Sequence, residues 1–240
     1  MMSNLSWGQN PNDTLNTKVG FSISISSAVL EDNVKLFVHL PFCYKPDQEY
    51  PLVLLLDGNT SFKSFASATE LLAYDGTIPC CIVVGFPQYK YLPSEEEHYM
   101  ENVDRLMNFL ENDFFSQIGQ RFKINDKIIW GQGHLLPTYA MLTKPSLFDG
   151  YISDIPDLKL ISNQINTEDP FKKIGEEQIY YYLGANPSIN VMNEKLLEKL
   201  RKVAPKNLHW TYQSTAETIF IKYVLTNYLT GIVEFFNQEK

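Results

Sequence analysis

Two alternating runs open the patterned part of the chain, Val19-Phe21-Ile23-Ile25 and Val34-Leu36-Val38-Leu40, with the polar turn Glu31-Asp32-Asn33 between them. Period-two alternation predicts strands covered on one face, and the short polar turn predicts that they pair as an antiparallel hairpin. After a break from Pro41 to Pro51 the pattern changes. Apolar residues now come in short unbroken runs at 52–56, 81–84, 128–130, 151–152, 179–183 and 208–212. Strands buried on both faces have no polar side and take this form. Between the runs lie helical patterns. The clearest puts Val103, Met107, Leu110 and Phe114 on one stripe, with Glu101, Asp104, Asn108 and Glu111 turned away from it. Another covers 193–203, with Leu196, Leu197 and Leu200 facing inward. The last starts at Ser214-Thr215-Ala216-Glu217, a capping-box pattern, and carries Phe220, Tyr223, Val224, Asn227 and Tyr228 towards Phe235. A hairpin feeding strand–helix repeats predicts an α/β fold: an open, mostly parallel sheet of about eight strands with helices on both faces. A polar N-terminal tail over 1–18 and a single domain over 19–240 account for the chain, which shows no internal repeat or interdomain linker.

Composition narrows the partners. The chain has 240 residues and is 44% hydrophobic, enough for a sizeable core. Its 20 Lys+Arg against 28 Asp+Glu give a net charge of −8, with no basic run to follow a phosphate backbone, which argues against nucleic acid. The first sixteen residues lack a basic segment followed by an apolar one, and no apolar stretch approaches the roughly 20 residues that span a bilayer. The expectation is an unexported, cytoplasmic protein with no membrane partner. Cys43, Cys80 and Cys81 are odd in number and lack metal-ligand spacing, so they read as core thiols; neither a metal nor a cofactor is expected.

In an open α/β sheet, ligands collect at the carboxyl ends of the strands. Those ends fall at Asp57-Gly58-Asn59, Gly85-Phe86-Pro87, Gly131-Gln132-Gly133-His134, Ser153-Asp154, Gly184-Ala185-Asn186 and 213–218. Four further stretches sit among them in order: Val38-His39-Leu40-Pro41; Tyr50-Pro51 running through to Asp57-Gly58; Ile78-Pro79 with Ile82-Val83-Val84-Gly85; and Lys144-Pro145-Ser146-Leu147-Phe148-Asp149-Gly150-Tyr151-Ile152-Ser153. In order and spacing this set resembles the putative-esterase family that includes esterase D and the enterochelin esterases, over roughly Phe21 to Phe236. The resemblance implies the α/β-hydrolase fold and a carboxylic-ester hydrolase ancestry.

It also implies where a Ser–His–acid triad should stand. The family's nucleophile occupies a Gly-x-Ser-x-Gly elbow, and the matching stretch here is Gly131-Gln132-Gly133-His134-Leu135, with Gly133 in the serine's place. The family histidine precedes the last helix, where Ala216 stands, and the acid follows the strand ending at Leu183, where Asn186 offers only an amide. All three positions read as vacant. By position, the family's oxyanion donors are the backbone N–H of Gly58 or Asn59 and that of His134. His134 is the side chain of most chemical interest, an imidazole beside the elbow; its plainer role is packing or capping at the helix start. Asp57 reads as part of a structural Asp-Gly turn and Asp154 as a strand end. His209 falls on the last strand, in a structural position. Tyr89, with Tyr91 and Tyr99, offers an aromatic rim on the loop after Gly85, or simply cover for the core. The reading is an esterase-like homologue acting as a non-catalytic binding or interaction protein, its partner a small carbonyl or carboxylate ligand or another protein. A lyase, isomerase or cyclase using the same pocket, and an esterase with a relocated nucleophile, stay open.

Overall fold

The hairpin forms as the alternation requires. In the computed structural model β1 (Phe21–Ser27) and β2 (Asp32–His39) pair antiparallel, Phe21 opposite Val38, with Glu31 in the left-handed region at φ 55° in the turn. The structure describes residues 18–92, 98–154, 156–185, 191–214 and 219–238, Tyr89 by its backbone alone. Six more strands follow: β3 (Glu49–Leu55), β4 (Ile82–Gly85), β5 (Lys123–Gln132), β6 (Gly150–Asp154), β7 (Ile179–Ala185) and β8 (Leu208–Ser214). They make one sheet in the order β1-β2-β4-β3-β5-β6-β7-β8, in which β2 alone runs against its neighbours. This is the expected eight-stranded, mostly parallel α/β-hydrolase sheet.

The unbroken apolar runs are strands covered twice. On β7, Tyr180 and Tyr182 face one side and Ile179, Tyr181 and Leu183 the other, all buried. One face is packed by α1 (Gly58–Tyr74) and α7 (Phe220–Asn237). The other holds α2 (Tyr99–Phe109), α3 (Phe115–Gly119), α4 (Leu136–Thr143), α5 (Ser162–Ile165) and α6 (Val191–Val203). A wide π-type turn over Leu110–Phe114 joins α2 to α3, and the predicted stripe Val103, Met107, Leu110 and Phe114 is buried throughout.

Two expectations need correction. Ser214 does not cap the last helix. It is the final residue of β8, paired with Ala185, because β7 extends that far and carries the ladder with it; α7 begins at Phe220, with Ile219 at its cap position and no side-chain cap. The remaining capping-box residues, Thr215, Ala216 and Glu217, lie outside the described residues. Nor are all three cysteines core thiols. Cys43 and Cys80 are joined in a disulfide, and only Cys81 is a free, buried thiol. The bond follows from strand order: Cys43 precedes β3, Cys80 precedes β4, and those strands are neighbours, so both sulfurs arrive at the same end of the sheet.

Candidate functional site

The turn between β5 and α4 has the form expected of an elbow. Gly133 stands at φ +66°, its N–H donates to the Asp154 carbonyl at the end of β6 (2.7 Å), and Pro137 sits in the first turn of α4. A Cβ at residue 131 would lie 2.8 Å from Leu56 and 3.1 Å from Pro137, so the helix can approach the strand only over glycine. At 133 the situation is the reverse: a Cβ there would meet nothing within 4 Å among the described residues, and Gly133 is exposed. Leu135 and Leu136 do not fill that space. They are buried in the core beneath α4.

The turn after β3 presses against the end of β4. The Gly58 N–H donates to the Phe86 carbonyl (2.9 Å), and a Cβ at residue 58 would fall 2.5 Å from the Gly85 carbonyl carbon. Gly58 is therefore not a free oxyanion donor, because its N–H is already used to hold the two strand ends together. Asn59 follows in the first turn of α1, where N–H groups have no intrahelical acceptor. The Asp57 carbonyl accepts from the N–H groups of Thr60 and Ser61, and the Asp57 side chain lies towards Gln88 and His134.

There it meets two partners. Gln88 Nε2 donates to Asp57 Oδ1 (2.9 Å) and also contacts His134 Nε2, while Asp57 Oδ2 lies 3.6 Å from the same imidazole nitrogen. Gln88 is fully buried, Asp57 nearly so, and the His134 side chain is 18% exposed. An amide that donates to a carboxylate with one hydrogen has its other for the imidazole lone pair, an assignment that puts the His134 proton on Nδ1. Gln88 Oε1 is left buried with no partner among the described residues. Asp57 thus does more than shape a turn, and His134 more than cap a helix: the ends of β3, β4 and β5 assemble an Asp–Gln–His group beside the open elbow.

Asp154 closes β6, as expected, but it is fully buried and belongs to a second group. Its Oδ1 accepts from Asn227 Nδ2 on α7 (2.8 Å), and the Tyr182 hydroxyl reaches Asn227 Oδ1 (2.9 Å) and Gln213 Oε1 (2.8 Å). Gly184 makes room, since a Cβ there would stand 2.9 Å from the carboxylate. Burial pushes the Asp154 carboxyl up to about 7; Tyr223, whose hydroxyl lies beside it outside hydrogen-bonding geometry, and Asn227 offset this only in part. His209 sits near the opposite end of β8 against Gln178 (2.8 Å), a structural place. The expected base and acid positions, Ala216 and Asn186, and the Tyr89 side chain lie outside the described residues. Among the described residues no group of three or more His, Cys, Asp or Glu could hold a metal, and no helix is long and apolar enough to cross a membrane.

A family model described as putative esterase matches residues 27–148. The chain belongs to the putative esterase family. Solved structures share its fold. The BES protein from Bacillus cereus superposes with a TM-score of 0.74 at 18% identity, over 95% of this chain and 98% of that one. An IroE-like serine hydrolase from Shewanella oneidensis gives 0.72 at 22%, over 90% and 80%. The siderophore hydrolase EstB from Aspergillus nidulans gives 0.72 at 15%, over 93% and 96%. No curated protein is a significant match. What sequence reasoning missed in this esterase-family site is Gln88, whose only signal is its place just after a strand end, and the meeting of Asp57 with His134.

Proposed function

We propose that this member of the esterase family binds a small carbonyl compound at the elbow and does not hydrolyse it through an acyl-enzyme. One observation carries the reading: the turn that should present a nucleophile holds its left-handed conformation with glycine, so the backbone is in place and the reacting oxygen is not. The N–H groups of Asn59 and His134 are the donors for the carbonyl oxygen. A neutral carbonyl suits the surroundings better than a carboxylate, because the Asp57 carboxylate already lies 3.6 Å from the imidazole. Without a nucleophile the acceleration left to oxyanion donors and binding is on the order of 10³ to 10⁴ over water. The test is labelling with a serine-directed fluorophosphonate together with turnover of p-nitrophenyl acetate. Labelling should not exceed a denatured control, and any residual turnover should be insensitive to the inhibitor; a labelled serine whose inhibitor abolishes turnover would return the protein to the esterases.

The part-exposed imidazole beside the elbow favours a second reading, in which His134, once the Gln88 amide releases the ring Nε2 lone pair, acts as a general base on a bound ketone without breaking an ester. Loss of α-protons from the bound ketone into D2O, abolished in His134→Ala, would establish that reading; equal exchange in both proteins would leave binding alone.

A further inference from the structure

Helix α7 tracks β6 in reverse. Gly150 packs on Phe235, Ile152 on Gly231, and Asp154 on Asn227, so each two-residue step up the strand matches one four-residue step back along the helix. Asp154 is the last residue of the strand, and the helix continues. Tyr223 lies beside Asp154, and Phe220 is one turn further, about 10 Å along the helix axis from Asn227. Phe220 falls in line with Val224, Asn227 and Gly231, all buried, yet it is 66% exposed. The core-facing stripe simply outruns the sheet. Phe220 therefore overhangs the end of β6, the end to which the elbow is bonded through the Gly133 N–H and the Asp154 carbonyl. Other exposed apolar side chains follow the same strand ends: Leu160 after β6, Val191 after β7, and Ile219 and Ile221 beside Phe220.

We propose that the ligand of the elbow site is a neutral carbonyl compound carrying an apolar alkyl or aryl group, and that Phe220 with Ile219 forms the wall on which this group packs. The proposal rests on the carbonyl-binding reading above. Position selects the occupant: Phe220 continues the stripe of Val224, Asn227 and Gly231 past the end of β6, the strand end to which the elbow is bonded. The net charge of −8 also works against an anionic lipid surface.

The experiment is a ligand-observed NMR titration of the full chain with straight-chain methyl ketones from butanone to 2-nonanone, which cannot be hydrolysed. Affinity should rise by roughly fourfold per added methylene, the gain for burying one such group. Phe220→Ala, at an exposed position, should flatten the series while leaving butanone unchanged, and Asn59→Pro, which removes a donor N–H in the first turn of α1 where proline is tolerated, should weaken every member alike. If butanone binds but affinity does not grow with chain length, or still grows in Phe220→Ala, the wall is wrong and the carbonyl reading stands. If the length dependence needs Phe220 but Asn59→Pro, still folded by thermal melt, changes nothing, the carbonyl reading fails instead. No ketone binding in the wild type overturns both, whereas phosphatidylcholine vesicle binding that Phe220→Ala abolishes with no effect on ketones overturns the wall alone.

Discussion

The buried carboxyl of Asp154 gives the most quantitative prediction. Its folded-state value of about 7 lies above the ordinary 3.8, a gap of about three units. At 1.36 kcal/mol per unit this is about 4 kcal/mol of linkage between folding and proton binding. The sign follows from which state holds the proton. Between those values the unfolded chain has ionised at this residue and the folded one has not, so stability is fully present below pH 4 and declines as pH rises to 7. Above that it is level again. Asp154→Asn keeps an oxygen to accept from Asn227 Nδ2 and has nothing to ionise. Urea unfolding at pH 5, 6, 7 and 8 should show the difference between wild type and variant shifting in the variant's favour by about 1.4 kcal/mol per unit up to pH 7, then holding constant. Parallel curves over pH 5 to 7 would refute the reasoning and mean that water or rearrangement solvates the carboxylate in the fold.

Other outcomes follow from close contacts and from the chain's connectivity. Cys43→Ser should destabilise the protein by up to about 4 kcal/mol, the loop-closure estimate for a separation of 37 residues, with a matching loss on reduction of the wild type; equal thermal melts with and without reductant would show that the bond does not form in solution. Gly58→Ala places a Cβ against backbone at 2.5 Å and should cost about 1–3 kcal/mol while also shifting the Asp57–His134 pair; an unchanged melt would contradict the packing. Gly133→Ser with Ala216→His and Asn186→Asp should gain fluorophosphonate labelling that no single change gives, since a serine without a base and a base without a serine are both inert. A folded triple variant that stays unlabelled would break the correspondence with the esterase triad.

The strands were readable because burial on both faces leaves no polar side, and β7, with three consecutive tyrosines inside Ile179–Ala185, shows how strongly that rule acts even on hydroxyl-bearing side chains. Their order across the sheet was not. That order decides the rest: Asp57, Gln88 and His134 lie 31 and 46 residues apart in sequence and meet only because β4, β3 and β5 are neighbours. The disulfide was hidden for the same reason. The start of α7 was misplaced because a Ser-x-x-Glu pattern signals a cap only where the strand before it has ended, and nothing local to Ser214 says that β7 is long enough to hold it. The turn at the elbow was legible, since glycine at 133 suits the left-handed conformation found there.

That glycine also bears on how the protein can change. A left-handed backbone costs glycine almost nothing, and it costs a residue with a Cβ about 1 kcal/mol or more. An enzyme that carries serine in such a turn holds it there against its own preference, and function maintains the strain. Here the turn is relaxed, with φ +66° and, among the described residues, nothing within 4 Å of where a Cβ would stand. Random mutagenesis under selection for folding alone should retain glycine at 133, whereas selection for ester hydrolysis would first have to accept a less stable protein. Relaxation at one residue thus makes the present state easy to keep and a serine hard to introduce by small, individually neutral steps.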